Sequence, residues 1–304
     1  MNRFLPTAAA ATSGILVGAT IVATRFVIDQ SSPAALSLLR YVIGACCLLP
    51  LALLSGRMRF ERRDLLPIAI LGIIQFAVVV TLLNYALQFI PSARAALLFA
   101  TFPLMTMILA AALGREKVTA TKAMGVLLTI AGVGLALSEK VVQPGNPTGR
   151  WIGAAAVLGS AFSGALCSVL YRPDLRKYPT LPVSAWAMVA SVAFLVLFAA
   201  GEGFFQAAPH YTAGGWLAVL FTGISSGIGY YLWLWALNHT AATNVTVFLA
   251  LSPVTATLLG AFFLAEPMTS TTLAGLLCVA LGLWLAHHHS HQKTQGETIQ
   301  LPTE

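Results

Sequence analysis

The sequence predicts an all-α integral membrane protein with ten transmembrane helices, arranged as two inverted five-helix repeats. The composition is the first reason, because 58% of the residues are hydrophobic and only 9% are charged, whereas soluble domains average about a quarter charged residues. The second reason is that the chain contains ten apolar stretches close to the roughly 20 residues that a spanning helix needs. The third is that the second half of the chain repeats the first.

Short polar connectors separate the predicted spans. The connector at 139–150 is the longest, and its prolines and glycines favour a boundary between the repeats. We therefore assign residues 1–140 to the first repeat, 141–150 to a linker, 151–288 to the second repeat and 289–304 to a polar cytoplasmic tail. The predicted spans are 8–28, 33–54, 66–89, 93–113, 119–138, 151–171, 181–200, 214–237, 243–264 and 269–287.

The two halves match at nearly constant offsets. Over the second part of each repeat the offset is 150 residues, so that Pro103 falls on Pro253. In the first helix of each repeat it is near 147, and Thr20 falls on Cys167. Because each repeat holds an odd number of spans, the second must enter the bilayer from the opposite side. Inverted repeats of this kind are typical of secondary transporters.

The basic residues indicate the orientation. With a cytoplasmic amino terminus, the inner connectors receive most of the positive charge and the outer connectors chiefly Lys140 and Arg150. This bias predicts both termini in the cytoplasm of a multi-pass plasma-membrane protein, in a bacterium the inner membrane. The net charge of +7 therefore reflects orientation, and we predict no nucleic-acid partner. The inner basic residues are Arg57, Arg59, Arg62, Arg63, Arg115, Lys117, Lys122, Arg172, Arg176 and Lys177.

Pro103 and Pro253 lie near the middle of the fourth and ninth predicted spans. Proline removes a backbone donor and crowds the carbonyl four residues earlier, which kinks a helix. Freed backbone groups at membrane depth are tolerated only when they are buried in protein or line a cavity. We therefore predict that both prolines are hinges beside a site at the middle of the membrane, as alternating access requires.

Polar and aromatic side chains within the spans are the candidate substrate contacts. In the first helix of each repeat they share one face, because steps of three and four residues stack. Such a stripe serves either close helix packing or a wet cavity. The predicted substrate-binding residues are Ser13, Thr20, Gln75, Phe99, Thr101, Ser163, Cys167, Ser225, Tyr230, Phe248 and Ser252.

Two polar residues inside the spans have alternative interpretations. The Gln75 amide makes either an interhelical hydrogen bond or a substrate contact, because exposure to lipid would be costly. Arg40 lies about 10 Å into the second helix at 1.5 Å per residue, where it is either an anchor on backbone carbonyls or an anion contact. Trp233 and Trp235 are assigned to the membrane interface, where tryptophan concentrates.

We predict no cofactor, no metal site and no enzymatic activity. The four cysteines lack the CxxC spacing of metal or redox sites, and no histidine lies deep in a span, as a motif such as H-E-x-x-H would require. A ring of like charges or a filter loop would favour a channel, and neither is found. The histidines of the tail, at 287–289 and 291, are either part of a polar terminus or a weak metal ligand set. Monomer and dimer both remain open.

The order of these features resembles the drug/metabolite transporter superfamily, EamA type. The resemblance lies in the ten helices, the mid-helix proline of each repeat and the Ser32-Pro33 to Arg40 entry into the second helix. It extends to a Glu and then a Thr that follow each proline: Glu116 and Thr119, Glu266 and Thr269.

This resemblance implies a secondary carrier of small metabolites, and bacterial members of the family often export amino acids. We therefore predict export or exchange of small metabolites, amino acids first among them, by alternating access. A facilitator or carrier of another small or drug-like solute is the alternative, and a membrane scaffold or a channel is a further one. Relatives that export aromatic amino acids carry large aromatics before the fourth-helix proline and in the sixth helix. The matching positions here are Phe99, Thr101 and Gly164.

Overall fold

The computed structural model describes residues 4–55, 60–115, 147–206 and 210–266, with parts of 120–135 and 268–285. All regular structure in these ranges is helical. Eight of the described helical segments are long and apolar enough to cross a membrane. They are Leu5–Gln30, Pro33–Leu54, Arg62–Leu87, Ser92–Ala112, Thr148–Lys177, Thr180–Gly201, Ala213–His239 and Ala242–Leu264.

These eight segments correspond to eight of the ten predicted spans. The predicted fifth span, 119–138, lies largely outside the described residues, and its described members are helical. In the predicted tenth span the structure has a shorter apolar helix, Leu273–Gly282. The tail at 289–304, its histidines and most of the linker also lie outside the described residues. Ten spans therefore stay a prediction.

Six α-helices lie in the continuously described part of the first half, residues 4–55 and 60–115. The second begins with Pro33 at its first position, where a missing amide donor costs nothing, and Ser32 caps it by accepting a hydrogen bond from the Ala35 amide. A π-helical turn, Ile73–Val78, continues the third helix into the fourth. The helices are α1 Phe4–Val27, α2 Pro33–Leu54, α3 Arg62–Gly72, α4 Val79–Leu87, α5 Ser92–Phe99 and α6 Phe102–Ala112.

The second half follows the same order. Its first helix begins at Pro147, so residues 147–150 of the predicted linker are helical. A 3₁₀ turn, Val247–Ala250, joins the short helix Ala242–Thr246 to the helix Leu251–Leu264. The helices are α7 Pro147–Leu170, α8 Arg172–Lys177, α9 Thr180–Gly201, α10 Ala213–His239, α11 Ala242–Thr246 and α12 Leu251–Leu264.

The kinks predicted at the two prolines coincide with helix interruptions beside them. In the first half α5 ends at Phe99 and α6 begins at Phe102, with Pro103 in its first turn. In the second half the 3₁₀ turn ends three residues before Pro253. Because proline at the start of a helix needs no amide partner, each break places its proline where the helix restarts.

Helices of one half pack mainly on helices of the other. The α1 helix lies against α10 and α12, and α7 lies against α4 and α6. The α2 helix contacts both α9 and α10, and α3 contacts α9. The bundle is therefore held together by contacts between the halves.

Glycines set the closest of these contacts. The Cα of Gly18 faces the Ser252 backbone of α12, and Gly14 faces the carbonyl of Phe248. In the same way Gly44 of α2 faces Gly227 of α10. Small residues allow helix backbones to approach closely in membranes, and Gly14, Gly18 and Gly227 have this role here.

An ionic cluster joins the start of α3 to the end of α8 and the residue that follows it. Lys177 Nζ lies 2.7 Å from a Glu61 oxygen and 2.5 Å from an Asp64 oxygen, and the Tyr178 hydroxyl donates to Asp64 at 2.6 Å. The hydrogen bond from Lys177 holds the pKa of Glu61 below its usual value. Any stabilisation from this shift is present at neutral pH and is lost as the pH falls, and it is small because the group is exposed.

We expect Gly18→Ala to destabilise the bundle, because the added Cβ would lie 2.8 Å from the Thr255 Cβ and closer still to the Ser252 carbonyl oxygen. Overpacking of this kind costs about 1–3 kcal/mol. Thermal unfolding of the purified protein in detergent measures the loss. Gly201→Ala is the matched control, since its Cβ would meet no atom within 4 Å. Equal midpoints for the two variants would contradict the packing argument.

Candidate functional site

A cavity of about 110 Å³ lies between the two halves. Its wall is formed by α1, α2, the π-helical turn with α4, α10 and both helix breaks: Phe99 and Phe102 flank the first break, and Leu249 lies in the second. Seven residues predicted from the sequence line it. They are Ser13, Thr20, Arg40, Gln75, Phe99, Ser225 and Tyr230.

The other predicted contacts lie outside this cavity. Ser163 and Cys167 are on α7, which contributes no residue to the wall, and the Cys167 thiol points to the Leu71 carbonyl at 3.6 Å. Thr101 is buried and donates to the Leu98 carbonyl at 2.8 Å. Phe248 and Ser252 lie where α1 packs on the second break and on α12. Pro103 and Pro253 border the breaks but do not line the cavity.

Arg40 is the charged group of the cavity wall. Only 9% of the residue is exposed. Its Nε donates to the Ser226 hydroxyl at 2.5 Å and its Nη2 to the Thr20 hydroxyl at 3.3 Å, and its guanidinium carbon lies 5.6 Å from the centre of the Tyr41 ring. The structure therefore gives Arg40 hydroxyl partners in place of the backbone carbonyls considered above.

Gln75 reaches the cavity from the π-helical turn. Turns of this type widen a helix by one residue and are frequent at functional sites. Within the described part of the chain the Gln75 amide makes no hydrogen bond to protein. Of the two alternatives for this residue, the geometry favours an amide that is available to a solute.

Aromatic rings form much of the remaining wall. The Phe76 ring lies 4.7 Å from the Tyr41 ring and 4.3 Å from the Tyr230 ring, measured between centroids. The Phe102 ring stands edge-on to Trp233 at 6.0 Å and fills the space that a side chain at position 164 would take. An apolar part of a solute would pack against these rings.

Sequence reasoning missed five of the polar and aromatic lining residues: Tyr41, Phe76, Phe102, Ser226 and Trp233. The assignment of Trp233 to the membrane interface is wrong, because the residue is 7% exposed and lines the cavity. A signal was present, since Ser226 and Trp233 lie four residues before and three after Tyr230, on the same helix face. Trp235 lies on another face and stacks on His239 at 4.2 Å.

The cavity suits a compact solute with one polar end. An engineered cavity of about 150 Å³ holds benzene, so the space is of the size of a small metabolite. The wall offers hydroxyls, one amide, one guanidinium and several aromatic rings, and no Asp or Glu is among its residues. No group of three or more metal-ligating side chains occurs among the residues that the structure describes.

Known proteins with similar sequences are transporters. The uncharacterised transporter YoaV of Bacillus subtilis is 24% identical over 89% of this chain and 92% of its own. An uncharacterised transporter of Archaeoglobus fulgidus is 28% identical over 88% of this chain and 93% of its own. A probable terminal-alkyne amino-acid exporter of Streptantibioticus cattleyicolor is 29% identical over 76% of each chain.

A solved crystal structure has the same fold. It superposes with a TM-score of 0.76 at 22% sequence identity and covers 98% of this chain and all of its own. Together with the eight apolar helices, these likenesses identify a multi-pass membrane protein. The model of the EamA-like transporter family matches residues 6–138 and 151–287, which make up most of the sequence, and the chain therefore belongs to that family.

Proposed function

We propose that this protein is a secondary transporter that moves small metabolites, with amino acids as its substrates and export as its direction. The observation that carries the proposal is the cavity between the halves, which is bordered by both helix breaks. A site at the point where two helices are interrupted is the arrangement that alternating access requires. The similarity to a probable amino-acid exporter supports the substrate class.

Matched hydrogen bonds support the inverted repeat. The Ser13 hydroxyl of α1 donates to the Gly229 carbonyl of α10 at 3.0 Å, and the Ser160 hydroxyl of α7 donates to the Val79 carbonyl of α4 at 2.7 Å. Ser13 and Ser160 are 147 residues apart, and Val79 and Gly229 are 150 apart. Each bond therefore has a counterpart in which the halves exchange roles.

The π-helical turn accounts for a one-residue change of offset within the repeat. Gly72, which precedes the turn, packs on α9, and Gly223, which lies 151 residues later, packs on α2. After the turn the offset is 150, as between Val79 and Gly229. A π turn holds one extra residue, so the insertion in the first half is absorbed in the turn that carries Gln75.

The hinge role of Pro103 and Pro253 follows from the same arrangement. The α1 helix contacts α5, which ends at the first break, and the 3₁₀ turn of the second break. A change in the angle of either break would move the wall residues beside it, Phe99 and Phe102 in the first half and Leu249 in the second. Small changes at the breaks would then open one side of the cavity and close the other.

The function itself is tested in liposomes. We expect the purified protein to give saturable counterflow of at least one amino acid in a panel of amino acids, sugars and nucleotides. Ser225→Phe should abolish this flux, because Ser225 lines a small cavity. Leu258→Phe is the matched control, since Leu258 is 57% exposed on the outside of α12. Flux of a nucleotide sugar without any amino acid would refute the substrate assignment.

The hinges are tested by Pro103→Ala and Pro253→Ala. We expect each change to slow turnover more than it weakens substrate binding, because an amide donor at these positions allows the helix to straighten. Flux rate and affinity are measured side by side. Pro50→Ala is the control, since Pro50 lies inside the continuous helix α2. Unchanged turnover in both hinge variants would remove the hinge hypothesis.

The orientation is tested by labelling single cysteines in intact cells. A membrane-impermeant maleimide should react with His210→Cys, which is exposed in the predicted outer connector, and should spare Arg62→Cys, which is exposed at the predicted inner start of α3. The physical reason is the excess of basic residues in the connectors assigned to the cytoplasm. Labelling of position 62 from outside, with 210 protected, would invert the model.

A further inference from the structure

We infer that Arg40 binds a carboxylate of the transported solute, so that a free carboxylate is required and an ammonium group is not. This inference rests on the proposed function and specifies the substrate chemistry of the same cavity. It starts from one observation: a buried guanidinium forms part of the cavity wall, and its hydrogen-bond partners are two neutral hydroxyls.

Those two hydroxyls orient the guanidinium without neutralising it. The Ser226 hydroxyl donates its hydrogen to the Thr222 carbonyl at 2.6 Å, and the Thr20 hydroxyl donates to the Val17 carbonyl at 2.9 Å. A hydroxyl has one hydrogen to give, so each can only accept from Arg40. Three of the five N–H donors of the guanidinium remain, which is enough for a two-point contact with a carboxylate.

No carboxylate in the described part of the chain pairs with Arg40. The ion pairs described there involve Arg25, Arg63 and Lys177, which all lie at helix ends. A charge inside a membrane is costly unless it is paired or faces a wet cavity. An anionic group that enters the cavity would supply the missing partner.

Comparison of the halves argues that Arg40 is not needed for packing. Helices α2 and α9 begin at Pro33 and Thr180, and Ala187 lies at the same distance from its helix start as Arg40. Gly72 packs on the backbone of Ala187, and Gly223 packs on the Ile43 side chain and the Arg40 carbonyl. The second half thus makes a comparable glycine contact with an alanine at the position of the arginine.

Thr20, one of the hydroxyl partners of Arg40, also lacks a hydroxyl counterpart across the repeat. By the 147-residue offset Thr20 corresponds to Cys167, as Arg40 corresponds to Ala187. Arg40 and Thr20 of the first half are therefore replaced by an alanine and a thiol in the second half. Such a pair serves the asymmetric contents of the cavity and not the symmetric scaffold.

The opposite end of a solute would meet neutral groups only. The wall offers the Gln75 amide, the Ser225 hydroxyl and the Tyr230 ring, and it contains no acid to pair with an ammonium. An ammonium can be accepted by a carbonyl oxygen or by an aromatic face, but its removal leaves no buried charge behind. The carboxylate is therefore the group that the cavity discriminates.

Four probes share the side chain of leucine and differ in whether they carry a carboxylate, an ammonium group or both. They are L-leucine, L-leucinamide, 4-methylpentanoate and 3-methylbutylamine. Their binding to the purified protein is measured by calorimetry. We expect both carboxylates to bind and the amide and amine to bind at least roughly tenfold more weakly, because a site built for one polar group rejects analogues that lack it. Leucinamide binding as tightly as leucine, or no binding by either carboxylate, would overturn the inference.

Variants place the discrimination on Arg40. Arg40→Gln should remove the preference for carboxylates, and Ser226→Ala, which releases Nε, should weaken carboxylate binding while leaving the amide unchanged. Thermal unfolding verifies that each variant folds. If Arg40→Gln does not fold, the carboxylate binding of Ser226→Ala still tests the inference. Arg25→Gln, at the end of α1 and outside the cavity, is the matched control. A full carboxylate preference in folded Arg40→Gln would contradict the assignment.

The outcomes also separate this inference from the proposed function. If 4-methylpentanoate binds through Arg40 while no amino acid gives flux, the carboxylate site stands and the amino-acid assignment fails. If leucine and leucinamide bind and are transported equally well, the amino-acid carrier stands and the carboxylate site fails.

Discussion

Backbone polar groups have no water to bond inside a bilayer, and this constraint governs the rest of the structure. A helix can be interrupted at membrane depth only where protein or a cavity encloses the freed groups. The α1 helix contacts α5, which ends before the interruption at 100–101, and it contacts the interruption at Val247–Ala250. The close approach of α1 depends on Gly14 and Gly18. The helix breaks, the close packing of α1 at these glycines and the cavity therefore depend on one another.

The two halves share a scaffold but differ in what they present to the cavity. Ser13 and Ser160 make equivalent hydrogen bonds to carbonyls of the opposite half, which keeps the helix contacts alike. The π-helical turn is in the first half only among the described residues, and it directs Gln75 inward. By the sequence offset of 147, Arg40 and Thr20 fall on Ala187 and Cys167, which are apolar or weakly polar. The matched hydrogen bonds agree with the proposed repeat, and the polar groups of the cavity wall differ between the halves.

Much of this could be predicted because membrane proteins obey few and strong rules. The length and apolar character of a span follow from the thickness of the bilayer, and eight predicted spans have described counterparts. The breaks at Pro103 and Pro253 follow from the missing amide donor. The depth of Arg40 and Gln75 follows from counting residues along a helix. These properties are local, and neighbouring helices do not change them.

The neighbour that each helix face meets was decided by the tertiary structure alone. Thr20 and Cys167 occupy matching positions on matching faces, yet Thr20 lines the cavity while Cys167 points to the backbone at Leu71. Tryptophan is typical of the membrane interface, but Trp233 is buried in the cavity wall. Periodicity determined which side chains share a face and how deep they lie. Only the packing of α1, α2 and α10 against one another determined what those faces contact, because that depends on residues far apart in the chain.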